Sequence, residues 1–374
     1  MRRLGGRETF FLVFTGTAAV VILTALLLMN LAAARAVGRG GDLLLPWRAA
    51  RGFQFEKLAP YGGGIASDVQ NLVYGRSAQP GENPYILHIP FQSLLLYFPL
   101  GFLSQPLMAR AAHMLVSEAA LLGLIYMSLY LTEWKPRRLF MLLFYLTSAL
   151  SFYTLASLTE GNAALLLGLA YAGILLAVRS GRDELAGALA ALCLQHLAVG
   201  GPFLLLVLVR VFRQQRWGVL TGLFMTLFVL TALAFLFYPG WGMAFVRASL
   251  ADLRWYYGFT PGWIFMHLWP DWGARLGWAL TAVGAVVLGA EWGRARGADW
   301  PRFHWTACLT LAVTPLLGMR SEMQNLAVLS LPWALIAALV RERWKAGYWM
   351  GGVLLLAVFA APWLLLRQLT DPGL

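Results

Sequence analysis

The chain has 374 residues, of which 60% are hydrophobic and 12% are charged, and its formal net charge is +12. Apolar runs of about 20 residues recur along it, each long enough to cross a bilayer. This composition excludes a soluble globular domain and predicts an all-α polytopic membrane protein. The basic residues stand in short clusters between apolar runs, a pattern typical of cytoplasmic loops facing anionic lipid. We therefore expect membrane lipids as partners and no nucleic acid.

About nine full spans are predicted in one transmembrane domain covering residues 1–374. The first apolar run is longer than the core of a signal peptide, and no small-residue cleavage pattern follows it, so we interpret it as a retained span. The predicted spans are 9–34, 110–131, 139–158, 161–178, 217–238, 272–291, 303–318, 324–340 and 347–368.

Six clusters of Lys and Arg set the predicted orientation, because these residues in short loops resist translocation. They predict a cytoplasmic N-terminus, an extracytoplasmic C-terminus and a site that faces outside. The expected location is a bacterial plasma membrane. The clusters are Arg2, Arg3 and Arg7; Lys135, Arg137 and Arg138; Arg179 and Arg182; Arg210, Arg213 and Arg216; Arg294, Arg296 and Arg302; Arg341, Arg343 and Lys345.

Two apolar segments do not fit as simple spans. The segment 184–211 begins and ends beside basic clusters but is interrupted by Gly200, Gly201 and Pro202, which predicts a V of two short helices. Irregular backbone at such a tip is tolerated where it lines a cavity. The segment 84–103 contains two prolines and predicts a juxtamembrane helix in the first extracytoplasmic loop. The alternative is a true span, which would place the cluster at Lys135 outside.

Polar and aromatic residues concentrate in two segments expected outside the membrane, at 35–103 and 239–271. A single aromatic residue at this depth is usually an interfacial anchor. Aromatic faces beside charged hydrogen-bonding groups are also how proteins hold sugars in concave sites. Both interpretations stay open from composition alone.

Five sequence strings, taken in order, resemble the polyprenol-phosphate-mannose-dependent glycosyltransferases of family 87, in the GT-C superfamily. The strings extend over most of the chain. They are GGDLLLPWRAARG from Gly40, GENPY from Gly81, IPFQSLLLYFPLGFL from Ile89, EGNAALLLGLAYAGILL from Glu160 and GRDELAGALAALCLQHLAVGGPFLLL from Gly181.

The resemblance implies a GT-C-type helix bundle and transfer of a mannose-like hexose from a polyprenyl-phosphate donor to a lipid or glycan acceptor, usually with inversion. It places the catalytic acid in the first outer loop, and the matching residue is Asp42. As general base, this carboxylate would accept the proton of the attacking hydroxyl. The alternative is that Asp42 only caps a helix that begins at Leu43.

The departing lipid phosphate requires cationic or strongly donating groups. The family pattern has a Lys followed by Pro at the hinge of the V, whereas this chain has Gln195 and His196 there. His196 is either a phosphate contact or a histidine satisfied by a neighbouring helix. An Arg between two apolar runs, as at Arg320, usually marks a site or an ion partner, with Glu322 or Glu160 as its counter-ion. The phosphate candidates are Arg48, Arg51, His196, Arg254 and Arg320.

Late in the chain, Gln324 and Asn325 replace a histidine-bearing segment of the relatives, and amides can bind sugar hydroxyls. Asp68 and Glu82 could bind a divalent ion or the acceptor, although loop carboxylates are usually only solvated. The candidate substrate-binding residues are Asp68, Glu82, Tyr85, Glu160, Asn162, Gln195, Trp255, Tyr256, Gln324 and Asn325.

The chain carries no phosphate-cradling motif, no dinucleotide fingerprint and no paired cysteines, so no nucleotide cofactor and no obligatory metal is expected. Two other functions stay open. Broken helices and an intramembrane Arg are also found in transporters and lipid flippases, although those predict internal repeats, which this sequence lacks. The replaced lysine and histidine would also suit a catalytically inactive assembly scaffold.

Overall fold

The computed structural model describes the backbone of residues 6–38, 40–252, 260–318, 321–344 and 346–370, with the side chains of these residues except 6–13, 195 and 365–370. Its regular structure is helical. Six helices are long and apolar enough to cross a membrane, or seven if a bent pair at 138–160 counts as one span. The prediction of an all-helical polytopic membrane protein is confirmed. Fewer helices meet the length requirement than the nine spans predicted.

The first half of the chain builds one long helix, a folded loop and then the centre of the bundle. A 3₁₀ turn at Leu95–Tyr97 joins the two shortest helices. The helices are α1 (Gly6–Ala36), α2 (Leu44–Glu56), α3 (Gly63–Tyr74), α4 (Phe91–Leu94), α5 (Phe98–Gly101), α6 (Pro106–Thr132), α7 (Arg138–Ala149), α8 (Phe152–Glu160) and α9 (Ala164–Arg179).

The second half completes the bundle, and three 3₁₀ segments interrupt it at Leu194–His196, Thr314–Leu317 and Met323–Leu329. The helices are α10 (Asp183–Cys193), α11 (Leu197–Arg213), α12 (Trp217–Phe237), α13 (Trp241–Asp252), α14 (Pro261–Leu268), α15 (Gly273–Arg294), α16 (Trp300–Val313), α17 (Ser330–Arg343) and α18 (Gly347–Thr370).

The main core surrounds α9, which packs against α6, α10 and the 3₁₀ segment before α17. Small residues allow two of the neighbouring helices to touch backbone to backbone. A Cβ added at Gly222 of α12 would lie 2.1 Å from the carbonyl oxygen of Glu184 in α10, and one at Gly187 would lie 2.0 Å from that of Val219. Such close approach is how membrane helices associate when lipid is as apolar as their side chains.

The segment predicted as a V folds back on itself. Arg216, just after α11, pairs with Asp183 at the start of α10, and its guanidinium also donates to the carbonyl of Val178 at 2.8 Å. A straight helix from 183 to 213 would separate its ends by about 45 Å. The ion pair therefore requires a reversal, and the break lies between the 3₁₀ turn at Leu194 and Gly200, which has non-helical φ and ψ of −149° and 18°.

The loop between α1 and α6 folds as a small helical layer on the bundle. Its own core contains Trp47, Ile65, Phe91 and Leu94, all at most 3% exposed. The helical stretch Phe91–Gly101 measures roughly 16 Å, well short of the ~30 Å hydrocarbon core. The segment 84–103 is therefore not a full span, and α1 ends and α6 begins at the same end of the bundle.

The basic clusters from Lys135 onward meet at one end of the bundle, which we name the basic-loop end. The Arg179 guanidinium donates to the carbonyl of Leu131 at 3.3 Å, and that of Arg341 donates to the carbonyl of Lys135 at 3.3 Å. The Arg210 guanidinium similarly reaches the carbonyl of Ala298 at 3.2 Å. The loop that contains Asp42 lies beyond the other ends of α6 and α9, which we name the Asp42 end.

Candidate active site

Asp42 lies between α1 and α2 and points into the protein. Its Oδ2 accepts hydrogen bonds from Asn162 Nδ2 at 2.7 Å and from Gln324 Nε2 at 3.1 Å. Helix α2 begins at Leu44, and its N-cap residue, Leu43, makes no side-chain capping bond. The Asp42 carboxylate thus contacts two residues that lie 120 and 282 positions further along the chain. Its Oδ1 takes no part in these two hydrogen bonds.

A tight turn between α8 and α9 supplies the second part of the site. Gly161 ends α8 with a left-handed φ of 74°, and a Cβ there would lie 2.5 Å from Leu43 Cβ. The Leu43 amide donates to the Glu160 carbonyl at 3.2 Å, which ties the Asp42 loop to this turn. Asn162 Oδ1 accepts the Ala164 amide at 2.7 Å, so this side chain binds the first residue of α9 while its Nδ2 reaches Asp42.

Gln324 brings three carboxylates together. Its Nε2 lies 3.1 Å from Asp42 Oδ2, 2.8 Å from Glu160 Oε2 and 3.2 Å from Glu322 Oε2. An amide nitrogen has only two hydrogens, so it cannot donate fully to all three oxygens at once. Among the described residues, the site therefore places three carboxylates around one amide, with the Arg110 guanidinium close enough to act on the charge of Glu160. Asn162 Nδ2 also reaches Asn325 Oδ1 at 3.2 Å.

These contacts define one group of side chains, which we name the Asp42 cluster. Four of the residues predicted as substrate contacts lie in it beside the predicted base. Asn162 and Gln324 are each 8% exposed, so the amides are held in a largely desolvated setting where hydrogen bonds to charge are strong. The cluster consists of Asp42, Glu160, Asn162, Glu322, Gln324 and Asn325.

Arg110 of α6 holds the loop that carries Asp42. The side chain is 5% exposed, and its guanidinium donates to the carbonyls of Val37, Gly38 and Gly40. Gly41 has a φ of 128°, and a Cβ there would lie 2.7 Å from the Glu160 carbonyl oxygen and 3.2 Å from the Arg110 guanidinium. The backbone next to Asp42 is therefore fixed by one buried cation and by a close approach that only glycine allows.

Two cavities lie near the cluster, each lined by a sequence neighbour of a cluster residue and neither by a cluster residue itself. One, of about 370 Å³, lies among α5, α6, α9 and the hinge of the V, and is lined by Ala163, His113 and His196 among mostly apolar residues. Burial, and then the charge of Asp42, raises the pKa of Tyr97 in its wall to about 12. The other, of about 300 Å³, lies among α1, α2, α3 and α6, with Leu43 and Arg110 in its wall.

Three predicted residues of the outer loop are engaged in holding that loop together. The Arg48 guanidinium donates to both Glu56 and Asp68 at 2.6 Å, and the hydrogen bond from Arg48 lowers the pKa of Glu56. Arg51 donates to the carbonyl of Gly101 at 3.1 Å, which joins α2 to α5. The structure therefore separates Arg48, Arg51 and Asp68 from the contacts of the Asp42 cluster.

Glu82 and Tyr85 lie nearer the rim of the loop. Glu82 pairs with Arg76 at 2.7 Å, and the hydrogen bonds from Arg76 and from the Gln79 amide lower its pKa to about 2. The Tyr85 hydroxyl would lie 3.6 Å from a Cβ at Gly40, which brings this ring close to the loop of Asp42. Burial first, then the neighbouring Tyr74 hydroxyl, and most weakly the charges of Asp42 and Glu160, raise the pKa of Tyr85.

Four predicted site residues, Arg254, Trp255, Tyr256 and Arg320, lie outside the described residues, as does the side chain of Gln195. Sequence reasoning missed Arg110 and His113. A signal for Arg110 existed, because an arginine in an otherwise apolar span is costly unless it has a partner. His113 had none, since a lone histidine among apolar residues is the pattern of a core histidine.

No group of three or more His, Cys, Asp or Glu side chains among the described residues is arranged to hold a metal ion. No protein-family model, curated protein or solved structure matches the chain.

Proposed function

We propose that this protein is a membrane glycosyltransferase that transfers a mannose-like hexose from a polyprenyl-phosphate donor to a lipid or glycan acceptor at the Asp42 end of the bundle. The observation that carries the proposal is the meeting of Asp42 with Asn162 and Gln324 across 120 and 282 residues of sequence. A carboxylate held by two amides beside apolar cavities suits a substrate that combines a sugar with a lipid chain.

The proposed reaction uses Asp42 as general base. The acceptor hydroxyl would approach the oxygen of Asp42 that Asn162 and Gln324 leave free. As that hydroxyl attacks the anomeric carbon, its proton moves to the carboxylate, the bond from sugar to phosphate breaks, and polyprenyl phosphate leaves. The amides of the cluster would orient sugar hydroxyls, because an amide can both donate and accept.

The two cavities beside the cluster offer places for the lipid parts of the substrates. We assign the prenyl chain of the donor to the cavity of about 370 Å³, since His196, a predicted phosphate contact, lines it. A neutral histidine can donate one hydrogen bond to a phosphate oxygen. The cavity of about 300 Å³, with the Arg35 and Arg110 guanidiniums in its wall, would receive the acceptor if that acceptor is a lipid.

The Asp42→Asn variant tests the proposal, because it keeps the shape and hydrogen bonding of the side chain but removes its basicity. Removal of a general base lowers the rate of transfer by about 10²- to 10⁴-fold. The measurement is hexose transfer from a synthetic polyprenyl-phosphate donor by purified protein in liposomes. A matched control is Asp271→Asn, an exposed aspartate in the turn between α14 and α15, which should leave transfer unchanged. Unaltered transfer in the Asp42 variant would exclude this residue as the base.

A further inference from the structure

A third cavity of the bundle lies far from the Asp42 cluster. It has a volume of about 760 Å³ and opens at the basic-loop end, among the ends of α6, α15, α16 and α17. Helix α6 has 27 residues and begins at the Asp42 end, so the two sites are separated by roughly 40 Å. No step of the proposed transfer uses this cavity.

The wall of this cavity carries charge of both signs. Three helices, α6, α15 and α17, end there and present carbonyl groups with partial negative charge, whereas α16 begins there at Trp300 and presents amide groups with partial positive charge. Four carboxylates line it as well, at Glu133, Glu291, Asp299 and Glu342. Two of these already have partners: Glu133 pairs with Arg179, and Glu291 pairs with Arg302 and Arg294.

Other polar groups in the wall have no such partner. Among the described residues, Glu342 and Arg343 make no side-chain hydrogen bond or ion pair, and Asp299 accepts only the Arg302 amide at 3.3 Å. His304 also lines the cavity at 3% exposure, and its Nε2 has no hydrogen-bond partner. Unpaired groups of both signs, close to one another, match a ligand that itself carries both signs.

The rest of the wall has the character of a membrane interface. Trp300 and Trp305 line the cavity together with Leu335 and Leu339. Tryptophan is enriched at the depth of lipid head groups, and its ring face attracts cations. The Arg179 guanidinium already lies 5.7 Å from the Trp300 ring centroid. The cavity thus combines a polar mouth with an apolar side along which an acyl chain could lie.

We infer that this cavity binds the head group of a phospholipid that carries a primary ammonium, of the phosphatidylethanolamine class. Its ammonium would donate to Glu342, Asp299 and nearby helix carbonyls, and its phosphate would meet Arg343. A choline head group has the same charge but no N–H to donate, and a glycerol head group brings no cation. The lining therefore favours the primary amine over both alternatives.

The test is lipid retention by the full-length protein in native mass spectrometry, with phosphatidylethanolamine, phosphatidylcholine and phosphatidylglycerol of identical acyl chains added in turn. We expect the ethanolamine lipid to be retained about 10-fold more than the choline lipid, the ratio that one charge-assisted hydrogen bond supplies. Glu342→Gln should reduce that ratio about 10-fold. Arg343→Gln should weaken retention of both zwitterionic lipids.

Equal retention of the three lipids, or a preference for phosphatidylethanolamine that survives Glu342→Gln and Asp299→Asn together, would overturn the inference. Both side chains are exposed, so their amide variants should fold normally. The Asp271→Asn variant controls for loss of a surface carboxylate at the other end of the bundle. The inference does not depend on the proposed transfer reaction, since Asp42→Asn should leave the lipid preference intact.

Discussion

At the scale of single residues, the Asp42 cluster holds a carboxylate in one fixed position. Two amides hold one oxygen of Asp42, and a glycine with positive φ together with the Arg110 guanidinium fixes the backbone beside it. Arg110 is a positioning residue, because its hydrogen bonds go to the carbonyls of the loop. Positioning of this kind matters because a displacement of about 1 Å in a catalytic group can cost roughly 100-fold in rate.

The Arg110→Lys variant tests this role. An ammonium keeps the charge but cannot match the planar fork that reaches the carbonyls of Val37, Gly38 and Gly40. We expect kcat for transfer to fall about 100-fold with little change in the KM for the donor. Arg76→Lys is the control, since Arg76 lies in the same loop but pairs with Glu82. A change confined to KM, or a loss of folded protein, would contradict a positioning role.

The sequence could predict a side chain of the candidate site when that residue interrupts or ends an apolar run. Asp42, Glu160 and Gln324 interrupt or end apolar runs, where a polar residue needs a reason, and the structure brings them together. Arg48 and Arg51 match the same pattern, yet they hold the loop through Glu56, Asp68 and the Gly101 carbonyl. Composition cannot distinguish a guanidinium aimed at a ligand from one aimed at a neighbouring helix.

At the scale of helices, the two cavities near the cluster are separated by the first turns of α6, with Arg110 on one side and His113 on the other. This separation predicts that a substitution in one cavity changes the KM for one substrate and leaves the KM for the other unchanged. Ala170→Phe narrows the cavity of about 370 Å³ and should raise the KM for the polyprenyl donor about 10-fold. Leu72→Trp narrows the other cavity and should raise the KM for a lipid acceptor instead.

Steady-state kinetics with each substrate varied in turn would measure the two effects. Each variant serves as the control for the other, because both add bulk to a partly exposed wall at the same end of the bundle. If both variants changed the same KM, the assignment of one lipid to each cavity would be wrong. If neither changed a KM, the chains would bind elsewhere.

Helix breaks were easier to predict than helix lengths. Gly200, Gly201 and Pro202 predicted an interruption, and the reversal of α10 and α11 lies close to them. Hydropathy did not predict that the span expected at 303–318 would end in a 3₁₀ turn at Thr314–Leu317. It also did not predict that the span expected at 161–178 would be a helix of only 16 residues. The short length of α9 goes with its burial within the bundle. Burial depends on contacts with distant parts of the chain, which the local hydropathy does not report.

At the scale of the whole molecule, the basic clusters from Lys135 onward lie at one end of the bundle, and the Asp42 cluster lies at the other. The clustering follows from the contacts among Arg179, Arg341 and the end of α6, and from those of Arg210 and Arg216. The sequence could predict that these clusters share a side, because only the alternation of spans and charged loops is needed. It could not predict which side chains at the opposite end would meet.

Single cysteines at the two ends of the bundle test which end faces the cytoplasm. Ser77, in the loop with Asp42, and Ser180, beside Arg179, are both exposed, whereas the native Cys193 and Cys308 are buried and should react little. Because Lys and Arg in short loops are retained in the cytoplasm, we expect Ser77→Cys to react with a membrane-impermeant maleimide in intact cells. Ser180→Cys should react only after permeabilisation. The reverse pattern would place the Asp42 cluster in the cytoplasm, where a nucleotide-linked sugar rather than a lipid-linked one would be the expected donor.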